Sequence, residues 1–178
     1  LDFGGPWQAD KQRERADTMV RKLIDWEDEN PRELVVTEEG FKVDVGGVEI
    51  TGRVDRLERD DQGRAVVVDI KTGSTKAEDL ERHPQLGVYQ MAVLEGAFAS
   101  LGLTEPGGAS LVQIGEKIKK AREQPQPPLS EDPDPGWARE LVHEVATGMG
   151  GSRFTATRNH KTSCGIFRSN DNNDTGGT

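Results

Sequence analysis

Gly52-Arg53-Val54-Asp55-Arg56 and Val66-Val67-Val68-Asp69-Ile70-Lys71-Thr72-Gly73 are the two stretches whose reading decides the fold. Both are rich in β-branched residues and read as strands. Asp61-Gln62-Gly63 between them suits a three-residue hairpin loop with Gly63 in the left-handed region. That loop fixes the register: Arg56 faces Val68, and one pair further on Asp55 faces Asp69. Carboxylates so opposed have Cβ atoms roughly 5 Å apart and repel each other. Asp69 also emerges from an apolar run, where an unpaired charge costs several kcal/mol. A divalent cation shared by Asp55 and Asp69 removes both penalties, and hard oxygen donors with open positions suit Mg²⁺ or Mn²⁺. Strand alternation points Lys71 to the same face as Asp69, beside the expected cation.

Outward from this hairpin, Leu34–Thr37 and Phe41–Val45 read as further strands, punctuated by Gly40 and by Gly46-Gly47. Upstream, Met19, Val20, Leu23, Ile24 and Trp26 recur at helical spacing among charged residues, which predicts an amphipathic helix over Trp7–Glu29, ended by Pro31. Downstream, residues 76–101 read as helix, restarting at Pro84. Residues 110–114 read as a short buried strand. The five prolines of residues 124–135 argue against regular structure there. Asp134 and Pro135 read as cap and first turn of a last helix whose inner face carries Trp137, Leu141, Val142 and Val145. The expected fold is α/β of the α+β kind: a mixed sheet with an antiparallel hairpin core, flanked by helices. One domain is expected over residues 1–168, followed by a disordered tail at 169–178 composed of Ser, Asn, Asp, Thr and Gly.

The chain has 178 residues, enough for one core. Its apolar stretches fall short of the roughly 20 residues a membrane span needs, and its start has no signal-peptide pattern, so a cytoplasmic setting and no membrane partner are expected. A single cysteine, Cys164, allows no intrachain disulfide. The net charge of −9 argues against a broad nucleic-acid-gripping surface, unless acids gather around cations or another domain does the holding. Lys117–Arg122 is a modest basic run that reads as a solvated element or a phosphate contact.

Asp55, then Asp69-Ile70-Lys71, then Gln85-Leu86-Gly87-Val88-Tyr89 together resemble the PD-(D/E)XK nuclease superfamily, and within it the RecB-like exonuclease branch, over about residues 36–96. The resemblance implies a restriction-endonuclease-like fold and a metal-dependent deoxyribonuclease. In it, Asp55 and Asp69 bind Mg²⁺ or Mn²⁺, Lys71 assists the attacking water, and Gln85 and Tyr89, on one helical face, lie beside the site. The resemblance to C-terminal nuclease domains of AdnAB-type or AddAB-type helicase-nucleases implies DNA as substrate, a helicase motor in the same chain or a partner subunit, and a role in repair or recombination in the nucleoid. Glu38 matches an acidic position of the family's first strand, although with Glu39 it also reads as a solvated pair.

Two departures from that pattern bear on function. Many RecB-like nucleases take a metal ligand from a histidine ahead of the first strand, whereas His83, His143 and His160 all follow Asp55. Relatives often hold an iron-sulfur cluster on four cysteines, and one cysteine makes such a cluster implausible. Alternative readings therefore stand beside the exonuclease: a catalytically impaired nuclease-like module that binds or guides DNA, or an acidic protein-interaction domain. At residue level, Asp55 and Asp69 read alternatively as salt-bridge partners of Arg53, Arg56 or Lys71, Tyr89 as a core aromatic, and Gln85 as a polar first-turn residue.

Overall fold

The computed structural model describes residues 6–73 and 80–150, with the side chains of residues 6 and 7 left out. Its order is α1 (Pro6–Glu29), β1 (Glu33–Val45), β2 (Val48–Arg59), β3 (Ala65–Lys71), α2 (Pro84–Leu94), β4 (Pro106–Gln113), β5 (Arg122–Gln126) and α3 (Trp137–Met149), with short 3-10 turns at Ala99–Leu101 and Leu129–Glu131. The strands form one sheet in the order β1-β2-β3-β4-β5. β3 and β4 pair in parallel and every other neighbouring pair is antiparallel. A parallel pair needs a crossover, and α2 supplies it. This is the expected α+β architecture, with the mixed sheet and hairpin core of a restriction-endonuclease-like fold.

The hairpin register is as the loop predicts. Arg56 pairs with Val68, Leu57 with Val67, Glu58 with Val66 and Arg59 with Ala65. Gly63 has φ 81°, and Asp60 and Arg64 close the loop through a backbone bond of 3.0 Å.

Alternation along β3 divides the core in two. Ala65 and Val67 join Phe41, Val43, Leu57, Leu86, Met91 and Trp137 on the face covered by α2 and α3. Val66 and Val68 join Trp26, Val112 and Ile114 on the face covered by α1, with Met19 and Leu23 packed against them. Asp69 and Lys71, odd-numbered like Val67, therefore belong to the α2 face.

Several local expectations need correction. β1 runs unbroken through Gly40, which pairs in register with Arg53; the irregularity of this ladder lies between Leu34 and Val36. Of the helix expected over residues 76–101, the described α-helical part is Pro84–Leu94: residues 80–83 are non-helical, Gly96 at φ 81° follows the helix end, Ala99–Leu101 is a 3-10 turn, and residues 74–79 lie outside the described ones. Regular structure does enter the proline-rich segment, since Pro125 sits in β5 opposite Ser110. β5 is an edge strand, where a missing N–H is tolerated. α3 begins at Trp137 after Gly136, with no side-chain cap, rather than at Asp134 and Pro135. Val20 and Ile24 on α1 and Val145 on α3, expected on inner faces, are exposed. The tail expected at 169–178 and Cys164 lie outside the described residues. Among the described residues no helix is long and apolar enough to cross a membrane.

Candidate metal-dependent catalytic site

β3 carries Asp69 and Lys71 out of the core at its C-terminal end. Asp69 is only 3% exposed, whereas the Lys71 side chain is 41% exposed. Asp69 Oδ1 accepts a hydrogen bond from Gln85 Nε2 at 3.0 Å. Asp69 Oδ2 lies 2.7 Å from Lys71 Nζ. At that distance the ammonium makes a charge-assisted contact with the buried oxygen, the ion pair that the alternative reading of Asp69 expected. Lys71 Nζ also donates to Gln85 Oε1 at 3.3 Å.

Pro84 at the first turn starts α2 and sets Gln85 and Tyr89 one turn apart on the same face. Gln85 Nε2 also donates to Tyr89 Oη at 2.8 Å, and the tyrosine hydroxyl donates to the Arg53 carbonyl at 3.3 Å. This is a chain of contacts from β3 through α2 to β2, ending two residues from Asp55.

On β2, the ladder to β3 is recorded only as far as Arg56–Val68. Beyond it, Asp55 Oδ2 accepts from the Ile70 backbone N–H at 2.8 Å, so a side-chain oxygen satisfies a donor that a strand partner would otherwise take. Asp55 faces Glu38 across the other ladder, between the pairs Thr37–Arg56 and Glu39–Val54. Glu38 holds the only positive φ of a non-glycine residue among those described, and it pairs with Arg53 at 3.1 Å. The core side of β2 changes here from even numbers (Val48, Ile50, Val54) to odd (Leu57). Asp55 lies at this change of side, and its charge acts on both Asp69 and Tyr89.

Burial raises the Asp69 carboxyl above its ordinary range, Lys71 opposes that rise, Asp55 adds to it, and His83 opposes it. Burial likewise raises the Tyr89 hydroxyl; the bond from Gln85 works against this, and the charges of Asp69 and Asp55 add to it. The two aspartates, the lysine and the tyrosine thus share one electrostatic environment.

A hard divalent cation fits this donor set. It would meet a buried carboxylate that burial raises and that the charge of Asp55 raises further, a repulsion a cation relieves. Among the described residues no group of three or more His, Cys, Asp or Glu gathers as a metal cluster. Further ligands would have to be backbone oxygens, water or a substrate phosphate, the manner in which Mg²⁺ is commonly held.

Of the residues picked out from sequence, Asp69, Lys71, Gln85 and Tyr89 are joined by direct contacts, and Asp55 is attached through the backbone of Ile70. Arg56, an alternative partner for the aspartates, turns to Glu27 and Glu58. Lys117, Lys119 and Lys120 remain exposed. Sequence reasoning did not find the roles of the Arg53 carbonyl or the Glu38–Arg53 pair. A backbone acceptor leaves no residue-type signal, while Glu38 had stood out only by its place in the family pattern.

The model of the PD-(D/E)XK nuclease superfamily matches residues 1–166. Among curated proteins none matches significantly. The solved crystal structure of SSO0001 is 22% identical over 62% of this chain, with a TM-score of 0.36. The aligned part spans 48% of that chain, about half its length.

Proposed function

Since this chain belongs to the PD-(D/E)XK nuclease superfamily, we propose that it is a metal-dependent DNA exonuclease domain working beside a helicase motor in DNA repair or recombination. The observation that carries the reading is the buried Asp69 carboxylate, held by Gln85 and Lys71 and raised further by the charge of Asp55. Asp55 and Asp69 would hold Mg²⁺ or Mn²⁺, which when bound polarises the phosphodiester and acidifies the attacking water. Lys71 Nζ, half-exposed, orients that water and offsets charge developing on the phosphate. Gln85 fixes both the Asp69 carboxylate and the Lys71 ammonium, and Tyr89 fixes Gln85 while tying α2 to β2 at Arg53. The exonuclease assignment is supported by the Gln85–Tyr89 pair and its likeness to the RecB-like branch. The helicase assignment is supported by the same likeness and by the net charge of −9, which favours a separate part that grips DNA.

Linear and covalently closed circular single-stranded DNA, each incubated with the chain and Mn²⁺, test this directly. An exonuclease degrades the linear form and leaves the circle intact, and cutting of the circle contradicts the assignment. A second reading, a nuclease-like module that binds DNA without cutting it, is favoured by the absence of a third grouped side-chain ligand among the described residues. Retention of DNA without cleavage of either form would support that reading instead.

A further inference from the structure

Gln85 and Tyr89 have a second side. Their polar ends meet Asp69, Lys71 and Arg53, while the same residues help line an open cleft of about 560 Å³ between the β1–β2 turn, α2 and α3. Ile50 and Thr51 wall it from β2, Val88 from α2, and Val145 and Met149 from α3. The volume falls in the range of small-ligand sites. Val145 and Met149 are exposed, at 51% and 69%. The lining contains no cation, and its one charged residue, Glu49, is paired with Lys42 at 2.7 Å. A phosphate has nothing to bind there, but a flat ring has apolar walls and the Tyr89 aromatic.

Resting on the nuclease reading, we propose that this cleft holds the base of an unpaired nucleotide next to the phosphate positioned at Asp55, Asp69 and Lys71. Continuity selects this occupant. Gln85 and Tyr89, about 6 Å apart along α2, border both the carboxylates and the cleft, so one nucleotide can place its phosphate on one side and its base on the other. A base stacked in a duplex cannot enter, so the cleft selects single-stranded ends or ends that fray. Apolar and aromatic walls recognise the face of any base, so selection for sequence is weak.

The test uses the whole chain and linear single-stranded oligonucleotides, intact or with one abasic residue stepped through the end positions. Cleavage is followed with Mn²⁺, and binding by fluorescence anisotropy without metal. The parent is expected to bind and cleave the intact strand about tenfold better than the one abasic at the position that fills the cleft, the order expected for one stacked base. Val145→Glu and Met149→Glu, both at exposed positions, should abolish that difference while leaving the melting temperature unchanged. If the parent treats every strand alike while Asp69→Asn stops cleavage, the base site is overturned and the nuclease reading stands. If nothing is cleaved but binding still distinguishes intact from abasic strands, the nuclease reading fails and the base site stands. A dimer in sedimentation that Val145→Glu splits into monomers would assign the cleft to a second copy and overturn the proposal.

Discussion

The raised carboxyl of Asp69 makes the protein's stability a report on its own site. Its folded pKa lies above the unfolded one, so its contribution to stability is fully present below the ordinary carboxylate pKa of about 4. That contribution is lost as pH rises through the folded value. In metal-free protein, the melting temperature of the parent relative to Asp69→Asn should therefore fall as pH rises above about 4. A difference that stays constant with pH contradicts the burial argument. Adding Mg²⁺ or Mn²⁺ at neutral pH should recover the loss for the parent alone. Lys71→Ala separates catalysis from binding. Mn²⁺ measured by titration calorimetry should bind as well or more tightly, because a neighbouring positive charge opposes a cation. Cleavage should fall about 10²-fold to 10³-fold, the usual loss for one oriented charge-stabilising group. Undiminished cleavage would remove Lys71 from the mechanism.

Among the elements, the β2–β3 hairpin was the most legible, because a loop of fixed length with Gly63 at its left-handed position sets every pair that follows. That register puts Asp69 and Lys71 on the face of Val67, while the recorded pairs stop at Arg56–Val68, one short of the expected Asp55–Asp69 pair. The Gln85–Tyr89 spacing was legible for a similar reason, since Pro84 marks a helix start. The end of α2 was not: apolar residues resume at Ala97 and Phe98 after Glu95 and Gly96, and periodicity alone cannot show that Gly96 turns the chain there. β5 was hidden by Pro125, whose placement depends on being at a sheet edge, a tertiary fact. The contact between α2 and α3 was equally hidden. A Cβ added at Gly87 would lie 2.3 Å from the Trp137 ring, so this glycine permits the close approach of the two helices. Gly87→Ala should therefore destabilise the fold by about 1–3 kcal/mol despite alanine's better helix propensity, as overpacking does. Chemical denaturation measures this, and a variant as stable as the parent would contradict the packing.

For the molecule as a whole, the sheet separates two kinds of polar network. The α2 face carries the candidate site. The α1 side carries a closed set of ion pairs around Glu58, which is fully buried. Glu58 accepts from Arg32 at 2.5 Å, from Asn30 at 2.8 Å and from Arg56, and Arg32 also reaches Glu123 at 2.7 Å. The Trp26 indole donates to Glu123 at 2.9 Å and stacks under Arg56 at 5.4 Å. These contacts tie α1 to β2 and β5. Glu58→Gln removes one of the two carboxylates that each guanidinium meets, Arg32 keeping Glu123 and Arg56 keeping Glu27, and should cost about 1.5–3 kcal/mol, the range for hydrogen bonds to charged groups. Cleavage per folded molecule should be unchanged, since no residue of this network touches the site, and a specific loss of activity at full stability would contradict that separation. The most direct test of the central claim is digestion of end-labelled linear DNA by the parent and by Asp69→Asn, with Mn²⁺ and with excess chelator. The account predicts degradation by the parent that chelator abolishes and that the folded Asp69→Asn variant lacks. Degradation that survives either the chelator or the substitution would contradict it.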